Sequence, residues 1–358
     1  MLSLKGVFRS LFDLTIGHSG NTRAAHDSFP RWQFPWLTQR AARVRGTKAE
    51  YIPLELPAPG PPRASITLLL SRYLRPIVPD LAQPGCPAQN WKLTLSYDGT
   101  DYRGWQVQPG ERTVQGELQA ALGRIVGESP LPQGSGRTDA GVHALAQVAS
   151  FPLQARIPEA NLLRALNRTL PGSIRVIEAR IVPESFHARH SAVAKTYEYR
   201  VFPVEPAMNQ LCPPFLARYV NPFSWHVNLA LMECAAQAFI GERDFSSFAA
   251  TDPDLATRTE ALTAPSSLQT EARTSIRTIY SSQWSEQSHE AGTLLVYRVR
   301  GNGFLHHMVR NLVGTMLDIG RGYARLDDIP VIFAARARSA AGPTAPARGL
   351  FLHSVEYE

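Results

Sequence analysis

The chain has 358 residues, 44% of them hydrophobic and 19% charged, enough to bury a substantial core in one large or two ordinary domains, and it lacks the run of eighteen apolar residues a membrane helix needs. Three cysteines, Cys86, Cys212 and Cys234, are odd in number and have no C-x-x-C spacing, which argues against a disulfide framework or a cysteine zinc site and for a reducing compartment. The formal charge of +7 points to a nucleic-acid partner, but residues 1–89 hold eleven Lys/Arg against five Asp/Glu, so the remainder is nearly neutral and any RNA site there must rest on local patches.

Residues 1–89 carry eleven of the 28 prolines, including PAPGPP at 57–62, and no sustained period. A basic, proline-rich segment of this kind is expected to be a disordered extension or to precede the true start. Its arginine-bearing, acid-poor opening also fits an organelle transit peptide. Order begins near Asn90. WKLTLSYDG (91–99) alternates as a strand. TVQGELQAALGRIVG (113–127) sets Val114, Leu118, Leu122 and Ile125 on one helical stripe, with Thr113 as N-cap. QVASF follows as a strand, and PEANLLRALNRTLPG (158–172) is a helix with a signal at each end. IRVIEARIV and KTYEYRVF are further strands. A proline-marked stretch at 203–222 separates two halves, 90–205 and 206–358. In the second, VNLALMECAAQAFIG (227–241) and FLHHMVRNLVGTMLDIG (304–320) read as helices, and IRTIYSSQW (276–284), TLLVYRVRG (293–301) and LFLHSVEY (350–357) as strands. The polar segment 251–273 reads as an inserted flexible loop. The mixture predicts an α+β fold with helices on one face of a sheet.

One stretch stands apart. GSGRTDAGVHALAQVASF (134–151) places Arg137 and Asp139 in a loop with three glycines. Asp139 by itself reads as a turn carboxylate capping its own backbone, as part of a phosphate-cradling loop, or as a catalytic carboxylate kept ionised by a neighbouring arginine. The spacing fits neither the P-loop nor the dinucleotide fingerprint. Tyr197 shares a strand face with Tyr199 and Val201 and reads as a core aromatic. Arg310 lies off the stripe of Leu305, Met308, Leu312, Met316 and Ile319, as a solvated arginine or a partner for a buried carboxylate. His306 and His307 are adjacent on the expected helix, poor geometry for two ligands on one helix face, so no metal site is expected.

GRTDAGVH (136–143) resembles the signature of the tRNA pseudouridine synthase A family. YDGTDYRGWQ (97–106), FHARHSAVAKTYEYRV (186–201), GERDFSSF (241–248), GNGFLHHMVRNLVGTM (303–316) and TAPARGLFL (344–352) are also similar to family blocks, in family order. The resemblance covers about three quarters of the chain. It implies a pseudouridine synthase fold: two similar α/β-sandwich halves sharing a largely antiparallel sheet, with an RNA cleft between them. It implies isomerisation of uridine to pseudouridine at positions 38, 39 and 40 of the tRNA anticodon stem-loop, by a cytoplasmic homodimer without a cofactor.

By the same resemblance the catalytic aspartate falls on Asp139, its basic companion on Arg137, the active-site tyrosine on Tyr197 and the arginine paired with the aspartate on Arg310. Leu350 matches an apolar residue lining the pocket, and His143 belongs to the same signature as a substrate-binding position. Arg103, Arg137, Arg164, Arg168, Arg189 and Lys195 are candidate phosphate contacts from their position. The glycines are expected to leave room for the RNA backbone. A non-catalytic RNA-binding module and a glycosidic hydrolase are the rival readings; the hydrolase would need a second carboxylate as acid, and none stands out in the matched blocks.

Overall fold

Alternation builds the first strand. In β1 (Gln89–Tyr97) the side chains of Trp91, Leu93, Leu95 and Tyr97 enter the core at no more than 4% exposure, and the residues between them stay half-buried. Burying each such side chain contributes roughly 1.5–3 kcal/mol. The computed structural model describes residues 87–204, 211–250 and 275–358, which lie in one compact unit. The extension up to residue 86 and the expected loop at 251–273 fall outside the described residues.

The first helix, α1 (Val114–Val126), starts where the sequence places it. The Thr113 side chain accepts from the Gly116 N–H, and Gly127 ends the helix in the left-handed conformation, as a C′ glycine does. The chain continues through β2 (Gln133–Gly134), β3 (His143–Leu153), α2 (Glu159–Thr169), β4 (Ile174–Val182) and β5 (Ala192–Pro203). Next come a four-residue α3 (Pro214–Ala217), a short β6 (Asn221–Phe223), α4 (Leu229–Ala238) and β7 (Gly241–Asp244). β8 (Ile276–His289) and β9 (Gly292–Gly301) form a long hairpin, followed by α5 (Met308–Gly320), α6 (Asp328–Ala335) and β10 (Leu350–Tyr357). β8 runs five residues beyond its expected end. Those five, SEQSH, are mostly exposed and carry no apolar alternation to betray a strand.

The strands form one sheet in the order β4-β1-β3-β10-β5-β9-β8-β7, with β2 paired to β3 and β6 to β5. Neighbours along this path are antiparallel except β10 and β3. The last strand of the chain therefore lies between two strands of its first half, and the middle of the sheet is the β10–β5 pair. Within β5, adjacent residues serve opposite faces. Tyr197, Tyr199 and Val201 join the main apolar cluster shared with the helices, whereas Phe202 packs with Val220, Leu294 and Val296 in a second one.

α5 departs from the sequence expectation in two ways. It begins at Met308 rather than near residue 304, because His307 adopts a left-handed conformation with φ 58°. It is also buried on all sides rather than along a stripe; in this helix every residue but Arg310 is buried.

Candidate active site

The loop from Ser135 to Val142 is stapled from several directions. The Ser135 N–H donates to the Val148 carbonyl at 2.7 Å. Buried Gln147 accepts from the Ser135 hydroxyl at 2.7 Å and donates to the Gly136 carbonyl at 2.9 Å. Lys195 Nζ, from β5, donates to the Ser135 carbonyl at 2.6 Å. From the YDGTDYRGWQ segment, the Trp105 N–H donates to the Thr138 carbonyl at 3.0 Å. The Tyr97 and Thr138 hydroxyls share a hydrogen bond of 2.8 Å. Thr138, the middle residue of R-T-D, is thus an anchor, and Arg137 and Asp139 flank a fixed point.

Packing within the protein accounts for the bare backbone more than room for RNA does. A Cβ on Gly134 would lie 2.7 Å from the Trp105 ring. Gly141 closes the turn in which the Val142 N–H donates to the Asp139 carbonyl at 3.1 Å, and its φ of +78° is one that side-chain-bearing residues rarely adopt. Gly136 alone of the loop's three faces the site, with its missing Cβ at ordinary contact distance from Lys195 Nζ and the Tyr197 hydroxyl.

Asp139 meets Arg310 across 171 positions of sequence. Arg310 Nη1 donates to Asp139 Oδ2 at 3.0 Å, and the two side chains are 14% and 21% exposed. Arg310 is itself fixed: its Nε donates to the Ala345 carbonyl at 2.7 Å, and the Ala345 N–H donates back to the Arg310 carbonyl at 3.1 Å. His306 Nε2 lies 3.5 Å from Asp139 Oδ1, and His307 Nε2 3.3 Å from Oδ2. Burial opposes ionisation of Asp139. The His306 hydrogen bond and the pull of His307 and Arg310 outweigh it and hold the carboxyl below its usual range. The site therefore presents an ionised, oriented, partly desolvated carboxylate, the form a base or nucleophile needs.

Tyr197 lies beside the loop at 8% exposure, its ring edge-on to Phe304 with centroids 5.0 Å apart. Burial first, and then the neighbouring Tyr97 and Asp139, push its phenol well above the usual value, so it is neutral at physiological pH. Leu350 opens β10 opposite Tyr199 and is 6% exposed. Lys195 is half-buried; burial and the nearby Arg189 and Arg277 push its pKa down to about 8. Arg137 is half-buried and Arg189 exposed. Arg103 is exposed and paired with Glu111 at 3.3 Å, and Arg164 and Arg168 lie exposed on α2.

His143 is placed differently from the expectation of a substrate contact. It is 2% exposed and stacks on Phe351 with centroids 4.7 Å apart. The Gly99 N–H donates to its Nδ1 at 3.1 Å, and its Nε2 donates to the Arg218 carbonyl at 3.1 Å. With both nitrogens engaged inside the protein, this ring holds the 98–100 turn against β3 and has no free edge for a ligand.

Two features escaped the sequence reading. The sequence pattern places His306 and His307 in a helix, where their rings would diverge; the left-handed His307 instead stacks the rings, centroids 3.9 Å apart, beside Asp139. The dipeptide preceding a helix was the available signal. Arg277, at the start of β8, adds positive charge beside Lys195, and nothing in its local sequence marks it.

Comparison with known proteins agrees with this architecture. The family model described as tRNA pseudouridine synthase matches residues 94–191 and 235–358. The tRNA pseudouridine synthase A of Solibacter usitatus is 46% identical over 267 residues, spanning 74% of this chain and 98% of that relative. Those of Bacillus pumilus and Moorella thermoacetica are each 42% identical, over 269 and 272 residues, spanning 75% and 74% of this chain and 98% of each relative. The first matched segment contains Asp139 and the second Arg310, the two partners of the ion pair at the centre of the site. On that match, and on identity extending over nearly the whole of these relatives, the chain belongs to the tRNA pseudouridine synthase family.

Proposed function

We propose that this protein isomerises uridine to pseudouridine at positions 38, 39 and 40 of the tRNA anticodon stem-loop, with Asp139 as the catalytic carboxylate. The observation that carries the reading is the ionised Asp139, fixed by Arg310 in a loop that the rest of the fold staples in place.

The reaction breaks the N1–C1′ bond of uridine, turns the base in place and joins C5 to C1′. C5 loses a proton and N1 gains one, so the exchange is balanced within the nucleoside. No electrons or groups pass between molecules, and the chemistry calls for no cofactor. A base within a stem is out of reach, so the target uridine is flipped out first. Arg137 holds the vacated space and meets phosphate. Asp139 then acts on the sugar by one of two routes, attack at C1′ or removal of a ribose proton to give a glycal. Both need the carboxylate charged, which the His306 hydrogen bond, His307 and Arg310 together secure. Tyr197 packs on the uracil; as a neutral phenol it offers a surface and a hydrogen bond, and takes the C5 proton only in concert with a further base. Leu350 closes the apolar side of the pocket.

Residues 90–205 and 206–358 act as the two halves of this site, the first supplying Arg137, Asp139, Tyr197 and Lys195 and the second Arg310 and Leu350. Arg189, Lys195 and Arg277 form the local basic patch that a nearly neutral catalytic region requires for RNA. The working form is a cytoplasmic homodimer with each tRNA spanning both copies. Among the described residues no helix is long and apolar enough to cross a membrane.

The test is site mapping. Purified enzyme is given unmodified tRNAs carrying a single uridine at 38, 39 or 40, and a control with none. Pseudouridine at each of the three positions and none in the control is expected. Product elsewhere in the control would move the substrate assignment.

A further inference from the structure

Among the described residues, Asp139, His306 and His307 offer three metal-ligating atoms within 4.8 Å of one another. The mechanism above uses the carboxylate and gives the two imidazoles no part beyond helping to hold its charge. On a helix, adjacent side chains diverge by about 100°. Here His307 stands just before the helix with φ 58° and ψ 3°, a conformation that costs a side-chain-bearing residue free energy and that glycine would adopt freely. The result of that backbone turn is that both rings stack and both Nε2 atoms meet the same carboxylate. Strained backbone at a site points to a use for the side chain it positions.

The spacing fits a particular class of ion. A tetrahedral zinc with bonds of about 2.1 Å has ligand–ligand edges of about 3.4 Å. His306 Nε2 lies 3.5 Å from Oδ1 and His307 Nε2 3.3 Å from Oδ2, so a carboxylate offering both oxygens matches that edge with each imidazole, and one ligand atom from each of the three residues lies within 4.8 Å of the others. Two imidazoles and one carboxylate suit zinc, nickel or cobalt and disfavour magnesium and calcium. All three side chains retain between 21% and 28% exposure, so an ion reaches them from solvent and keeps an open fourth position. Arg310 donates to Oδ2 at 3.0 Å and competes with the ion for that oxygen. The positive charges of Arg310 and Arg338 act on His307 and weaken the site relative to a closed structural one.

We infer that Asp139, His306 and His307 form a binding site for a borderline divalent cation such as zinc, and that the cation-bound enzyme is inactive because its catalytic carboxylate has become a ligand. The inactivation rests on the proposed role of Asp139; the binding does not. The cation is an inhibitor that competes with the reaction for Asp139, and the metal-free protein is the competent form.

The experiment has a binding arm and an activity arm. Full-length protein is freed of metal with a chelator and titrated with zinc chloride in a calorimeter, with magnesium chloride as control. One zinc per chain is expected, and no heat from magnesium. His307→Gly removes a ligand while suiting the left-handed backbone, so it does not fail through strain; its zinc affinity is expected to fall at least tenfold. Asp139→Asn is expected to weaken zinc similarly, and thermal unfolding of each variant confirms that it folds. In the activity arm, zinc at ten times its half-saturating concentration leaves about a tenth of the wild-type turnover, and a chelator restores the rest. Absence of saturable zinc binding, equal affinity in His307→Gly, or full turnover at saturating zinc each overturns the inference. A metal-free wild type that binds zinc as described but forms no pseudouridine contradicts the proposed function and leaves the binding site standing.

Discussion

Arg310 touches the protein at two points, the Asp139 carboxylate and the Ala345 carbonyl, and a lysine has no fork to reach both. Arg310→Lys is therefore expected to keep the fold and lower the rate of pseudouridine formation about 100-fold, the scale of loss from misplacing a reacting group by an ångström. Single-turnover assays measure it, and a wild-type rate would show that the pair is not the active geometry. The titrations also have signs. Asp139 has a lowered pKa, so its charge is complete above the ordinary carboxylate range and is lost only below it. A fall in rate with acid above about pH 5 is therefore not expected from Asp139, and finding one in Asp139-dependent turnover would contradict its lowered pKa. Lys195 has its pKa lowered to about 8, so it carries charge below that pH and loses it above. tRNA affinity is expected to weaken as pH rises through about 8, with the salt-dependence slope falling by about 0.9, one phosphate contact's worth. Lys195→Arg stays charged and abolishes that step; a step that persists in the variant would assign it elsewhere.

α5 owes its placement to backbone contact. A Cβ on Gly314 would stand 1.7 Å from the Pro343 carbonyl oxygen. Buried Asn311 donates to the Phe248 carbonyl and accepts from Arg338 and Thr344, tying the same helix to the 338–345 segment. That docking sets the Ala345 carbonyl that holds Arg310. Gly314→Ala is expected to destabilise the protein by at least about 1–3 kcal/mol and to slow the reaction as well; unchanged denaturant unfolding would mean that the helix shifts freely. Much at this level was legible beforehand. The Thr113 cap, the α1 stripe and the β1 alternation are local patterns, and structure follows them. What was not legible depends on distant partners. The burial of α5 on every side needs the 338–345 segment over it. The left-handed His307, and hence the imidazole pair, is a backbone state without a glycine to announce it. The glycines of the Asp139 loop answer to Trp105 and to a tight turn, partners that sequence spacing does not reveal. His143 sits in the signature, but only the fold shows both its nitrogens already engaged.

The sheet explains why residues so far apart in the chain can share a site. Because β10 enters between β3 and β5, Leu350, Tyr197 and the loop leading into β3 all come to the middle of the molecule, and α5 brings Arg310 to the same place. Family membership and fold class were readable from ordered motif blocks; the insertion of the last strand was not, because a parallel pairing of β10 with β3 leaves no local sequence mark. The charge distribution yields a further expectation. Residues 1–89 hold most of the net positive charge, whereas the site cluster lies beyond them. Deleting residues 1–86, which retains the Pro87 carbonyl that accepts from Arg156 at 2.9 Å, is expected to leave turnover within about twofold of wild type, well under 1 kcal/mol. A collapse of tRNA affinity in that variant would make the extension a binding arm. The most direct test of the whole account is pseudouridine formation in purified, unmodified tRNA carrying uridines at 38–40, with wild type and Asp139→Asn assayed side by side for product and for tRNA binding. The account predicts product from wild type alone and similar binding by both. Normal turnover by Asp139→Asn would contradict it.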